Sequence, residues 1–124
     1  MDLDRLRTLP KAELHLHLDG SLRPSTAVEL AADVGQTLTF QDAEARLVGP
    51  VRCRDQAELL GFFGLPISLL QTGAALRRVT AELVESLADD GLTYAEIRWA
   101  PRLHLELELS VHDVIGAVAD GVAE

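Results

Sequence analysis

Hydrophobic and polar residues alternate strictly over residues 12–18, with Glu13, His15 and His17 on one side and Leu14, Leu16 and Leu18 on the other. Period two predicts a strand, closed by Asp19-Gly20. Pro24 suits the first turn of a helix, Thr26 and Glu29 stand at capping-box spacing, and Gly35 fits its end. Residues 36–54 read as loop with a short helix near 42–48, and residues 55–70 as one or two short helices interrupted by glycine. The clearest helix spans 74–90, where Leu76, Val79, Leu83, Val84 and Leu87 make one apolar stripe and Gly91 closes it. A second alternating strand follows at 93–100, with Tyr94, Glu96 and Arg98 opposite Ala95, Ile97 and Trp99. Ser110 and Asp113 then open a last helix. Its apolar positions Val111, Val114, Ile115, Val118, Ala119 and Val122 continue to Glu124. Strands separated by helices predict an α/β protein with parallel strands. Two strands are few for a covered parallel sheet, so the pattern predicts part of a longer chain.

Composition narrows the function classes. Eleven Lys and Arg stand against 20 Asp and Glu, a formal net charge of −9. That balance disfavours nucleic acid or an anionic membrane as partner, since both need clustered cations. Residues 59–70 form the most apolar stretch, far short of the roughly 20 residues of a bilayer span. The N-terminus alternates charge and apolar residues, unlike a secretory signal, so the expected location is cytoplasmic. Cys53 is the only cysteine, which excludes an intramolecular disulfide and a Cys-based zinc site; it is expected to be a small buried side chain.

The chemistry concentrates at the end of the first strand. His15 and His17 lie two apart, so their side chains point the same way and two imidazoles can converge on one ion. Asp19 follows at the C-terminal end, where α/β folds place their ligands. An ordinary pair of hydrogen-bonded histidines is the alternative, and zinc needs further ligands from elsewhere. His104, in the loop after the second strand, and His112, on the first turn of the last helix, are weaker ligand candidates. Glu96 and Arg98 read as a structural feature, with the Arg paired to an acidic group inside the fold.

The run Leu9-Pro10-Lys11-Ala12-Glu13-Leu14-His15-Leu16-His17-Leu18-Asp19-Gly20-Ser21-Leu22-Arg23-Pro24 closely resembles the opening motif of adenosine deaminases, members of the metal-dependent amidohydrolase superfamily. Residues 91–101 resemble the same family's Gly-x-x-Tyr-x-Glu-x-Arg strand, and Arg78, Glu82 and Leu83 in the preceding helix agree. The resemblance implies a (β/α)8 TIM-type barrel with one zinc ion at its C-terminal mouth. His15 and His17 match metal ligands, His17 also borders the substrate, and Asp19 matches the acidic residue that bonds the ribose 5′-hydroxyl. Asp19-Gly20, in place of Glu-Gly, favours a nucleoside over a free base. Phe63, with Leu59, falls where the family places a hydrophobic lid, although both positions also suit helix core.

The implied reaction is hydrolytic deamination of adenosine or deoxyadenosine to inosine and ammonia. The family's proton-transferring Glu and its water-orienting His and Asp belong to His-Ala-Gly-Glu and Thr-Asp-Asp-Pro motifs absent from these 124 residues. No catalytic residue is therefore assigned within the chain. A barrel takes about 250 residues, so residues 1–124 are expected to be the N-terminal portion of one barrel domain, inactive alone and a weak zinc binder. An adenine or modified-nucleoside deaminase is the near alternative. A metal-dependent nuclease fits the Leu-Pro-Lys-x-Glu-Leu run and the acidic charge poorly. A non-catalytic fragment or interaction module is the third reading.

Overall fold

The computed structural model describes residues 2–124. Asp2 caps a short helix, α1 (Leu3–Thr8), through a 3.1 Å bond from the Asp4 amide. The sequence pattern did not signal this helix, whose six residues bury none of their side chains. It is tied down by Lys11, the chain's single lysine. The ammonium donates to the Leu6 and Arg7 carbonyls at 3.2 Å each and lies 3.6 Å from Asp90. A cation at the carbonyls of a helix's last turn is favourable on dipole grounds.

Strand β1 (Lys11–His17) pairs in parallel with β2 (Leu92–Arg98), slightly earlier than the pattern placed each. Between them run α2 (Pro24–Asp33), α3 (Phe40–Leu47), α4 (Gln56–Gly61), α5 (Gly64–Leu69) and α6 (Gly73–Asp89), with α7 (Val111–Ala123) last. Pro24 starts α2 and Gly35 follows it as expected, but the capping box does not form: Arg23 is the N-cap and makes no side-chain cap bond. Thr26 is buried and donates to Glu82 of α6 at 2.7 Å, while Glu29 accepts from Arg78 at 2.8 Å. Partners across the interface have taken both groups from the local cap. Glu29 and Glu82 together raise the Arg78 pKa above its ordinary value through those bonds.

The core gathers Leu18 and Leu22 from just past the end of β1 with Leu30, Leu69, Leu76, Val79 and Val114 from the helices and Leu70 from the end of α5, just past its last turn. On β2 the expected alternation holds, with Ala95 and Ile97 half-buried and Tyr94, Glu96 and Arg98 exposed. On β1 it holds only in part. Leu16 and Leu18 reach the core, but Leu14 stays 58% exposed. From Glu13 to Leu16 the register advances three residues on β1 against two on β2, which breaks a strict two-residue alternation. Cys53 is half-buried rather than enclosed.

In α7, Val114 and Val118 are buried against the core while Val111, Ile115 and Val122 remain exposed, because α6 covers only one side of the helix. Its start is the capping box that Ser110 and Asp113 predict, with bonds of 2.6–3.2 Å. Ser110's hydroxyl and amide hold the Asp113 pKa below its ordinary 3.8. A depressed carboxylate contributes stability above its unfolded pKa and loses it as pH falls through the folded one. The start of α7 should therefore fray below about pH 4, and Asp113→Asn should remove that pH-dependent part. Amide exchange at residues 111–114 across pH 3–6 checks this.

Candidate metal centre

The C-terminal end of β1 is pinned on both sides. The Leu18 amide donates to the Arg98 carbonyl at 2.9 Å, and the Ser21 hydroxyl donates to the His17 carbonyl at 2.7 Å. Asp19 opens the short 3-10 turn Asp19–Ser21 that follows. Leu18 is wholly buried and anchors the strand end in the core, leaving His15 and His17 facing outward beside it.

The two imidazoles converge. Their Nε2 atoms lie 3.2 Å apart, with ring centroids at 5.2 Å. Two nitrogens about 2.05 Å from one tetrahedral ion stand about 3.3 Å apart, so the pair has the separation and donor chemistry of a zinc chelate; 3.2 Å is equally the length of an N–H···N hydrogen bond between the two rings, the alternative the spacing left open. Asp19 is 5% exposed, and its Oδ1 sits 3.9 Å from His17 Nδ1 with no hydrogen-bond partner. Phe63, at the start of α5, meets the His17 ring edge-on at 5.6 Å and also crowds Gly20. His15, His17, Asp19 and Phe63 thus form one cluster. Among the described residues no group of three or more His, Cys, Asp or Glu side chains is arranged around one ion position.

The other candidates lie outside it. His104 belongs to the 3-10 turn Pro101–His104, wholly buried, with Nδ1 2.9 Å from the Leu70 carbonyl. His112 is exposed on α7 and lines a groove of about 1100 Å³ between α6 and α7, away from the histidine pair. Leu59 is 49% exposed on α4, so the helix-core reading does not hold for it. Glu96 accepts from the Tyr94 hydroxyl at 3.1 Å, which raises the tyrosine's pKa. Arg98 is exposed, and no ion pair among the described residues includes it, contrary to the expected buried pairing. Sequence reading passed over Gln71, which is buried with three hydrogen bonds; one polar residue at the end of an apolar run carries no signal of its own.

Parallel strands joined through helices, with chemistry-bearing side chains at the C-terminal end of the first, are the arrangement in which α/β folds, (β/α)8 barrels among them, carry their sites. The family model for adenosine deaminase matches residues 10–124. Adenosine deaminase of Mycobacteroides abscessus is 43% identical over 128 residues, covering all of this chain and 35% of that protein. Among solved structures, the N6-mAMP deaminase of Arabidopsis is similar at 32% identity and a TM-score of 0.78, covering 97% of this chain and 36% of that one. An amidohydrolase from Burkholderia ambifaria with bound Zn is similar at 27% identity and a TM-score of 0.75, covering 94% and 32%. The chain belongs to the adenosine deaminase family. It spans about a third of the length of the relatives it matches. No helix among the described residues is long and apolar enough to cross a membrane.

Proposed function

We propose that residues 1–124 form the N-terminal portion of a single barrel domain whose activity is zinc-dependent hydrolytic deamination of adenosine or deoxyadenosine. The observation that carries this reading is the 3.2 Å separation of the His15 and His17 Nε2 atoms at the C-terminal end of β1. Those two imidazoles hold the ion. A zinc ion bound there supplies Lewis acidity, which brings the pKa of water towards neutrality. The chain's own part is binding and orientation. Phe63 walls the site beside His17, excluding water from one side. Asp19, buried with Oδ1 unpartnered, accepts a hydrogen bond from a substrate hydroxyl.

Asp19 also favours a nucleoside among the related substrates. A free adenine base has no sugar hydroxyl to satisfy a buried acceptor, and leaving one unpaired costs about 1–3 kcal/mol. A nucleotide such as N6-methyl-AMP would set a phosphate against a buried carboxylate, which repels it. The partner is therefore a purine nucleoside.

Zinc titration of the 124-residue chain, followed by NMR of its histidine rings, tests the metal half. The His15 and His17 resonances should move together at high-micromolar or weaker affinity, while those of His104 and His112 stay fixed. His15→Ala or His17→Ala should weaken binding by about 100-fold or more, since even an outer-shell partner is worth about 10–100-fold. Unmoved His15 and His17 signals at millimolar zinc would refute the reading. Adenosine added with zinc should then perturb Asp19 and Phe63 more than adenine or AMP does.

A further inference from the structure

Two buried polar side chains outside the histidine cluster bind the turn after β2 to the junction of α5 and α6. Gln71 is 5% exposed and lies between those helices. Its Nε2 donates to the Ile67 and Leu103 carbonyls at 2.8 Å each, and its Oε1 accepts from the Glu106 amide at 3.0 Å. His104 completes the clamp through Nδ1 and the Leu70 carbonyl. A carbonyl only accepts, so Nδ1 carries the proton, and the buried Nε2 is left without a partner. The ring is held from one side only, by its Nδ1–H.

The clamp grips a weak element. Helix α5 has six residues, too few to persist by its own hydrogen bonds. Three of them, Leu65, Pro66 and Leu69, are buried. Phe63 is the N-cap of α5 and packs edge-on against His17. Two of the clamped carbonyls, at Ile67 and Leu70, therefore belong to the segment that fixes the position of that ring.

We propose that His104 and Gln71 are positioning residues: by fastening the turn after β2 to the end of α5, they hold Phe63 against His17 and so set one wall of the nucleoside site. The meaning of that wall rests on the deaminase reading; the clamp and its effect on Phe63 do not.

The test is an NMR comparison on the 124-residue chain without metal, at a temperature where each variant is folded. His104→Ala and Gln71→Ala should each cut the cross-relaxation between the Phe63 and His17 rings at least twofold and speed exchange of the Ile67 and Leu70 amides at least tenfold. His104→Asn, which places an amide N–H near the position of Nδ1, should restore both. Val79→Ala, a buried α6 change outside the clamp, should leave the ring contact intact at a similar loss of thermal stability. If the alanine variants do not fold, Gln71→Glu, which keeps the acceptor for Glu106 and loses both donors, should weaken the ring contact in the same way. An unchanged Phe63–His17 contact in the clamp variants, or an equal loss in Val79→Ala, overturns the proposal. Failure of zinc to bind the wild-type chain would refute the metal reading and leave this result standing.

Discussion

Gly91→Ala is expected to destabilise the protein by about 2–4 kcal/mol and to lower its melting temperature by about 10 °C. Gly91 has a φ of +76°, the left-handed region that costs an L-residue about 1–2 kcal/mol. A Cβ there would also stand 2.8 Å from the Arg7 carbonyl oxygen, which is backbone and cannot swing aside. That carbonyl is one of the two that hold Lys11, and the Lys11 amide in turn donates to the Gly91 carbonyl at 3.3 Å. The glycine thus sits where α6 turns into β2 and where α1 hands over to β1. Relief of the clash must move one strand relative to the other. The register that brings His15 and His17 to the strand end should loosen with it. A thermal melt by circular dichroism checks the stability; the His15–His17 contact in the NMR spectrum checks the register. A melting temperature within about 2 °C of wild type would contradict the argument.

Within α7 the same substitution should have opposite signs at two positions. Gly121 lies on α6: a Cβ would stand 2.5 Å from the Arg77 carbonyl oxygen and 2.7 Å from Thr80 Cβ. Gly121→Ala must push the helices apart, and over-packing of this kind costs about 1–3 kcal/mol. The gain from replacing glycine by alanine in a helix, about 1 kcal/mol, offsets only part of that. Separation would also withdraw Val114 and Val118 from the core and stretch the 2.9 Å bond between Arg77 and Glu124. Gly116 meets nothing within 4 Å, so Gly116→Ala should keep the propensity gain and stabilise by about 0.5–1 kcal/mol. Urea titration of the two variants against wild type reads both. Shifts of the same sign would mean that α6 and α7 are not in the close contact described.

Of the two close-packed glycines only Gly91 was legible in the sequence, and only as punctuation. Gly91 could be read as the stop of the long helix, because helices commonly end on a left-handed glycine. That its missing side chain also admits Arg7 required α1, which has no apolar periodicity to announce it. Gly121 gave no signal at all. Close approach of two helices depends on which faces meet, and α7 offers more apolar positions than α6 can cover.

The site divides in a similar way. His15, His17 and Asp19 could be found from spacing, because a strand's two-residue period fixes which side chains share a face, and the surrounding motif carried the family. Residues 12–18 and 93–100 could be read as parallel strands for the same reason, and Ser110 with Asp113 as a helix start, because caps are local. Thr26 and Glu29 show where local reasoning stops: the spacing of a capping box was present, and a helix 56 residues further on took the threonine. Phe63 against His17, His104 turned inward on Leu70 and Gln71 between two segments all join residues more than 30 positions apart. By itself the sequence determined the two strands, the helices other than α1, the family and the pair of imidazoles, since each depends on neighbours in the chain. The tertiary structure decided what encloses that pair and which buried polar groups found partners. Those outcomes depend on which distant segments compete for the same carbonyl or hydroxyl, and the competition is settled only once the helices have packed.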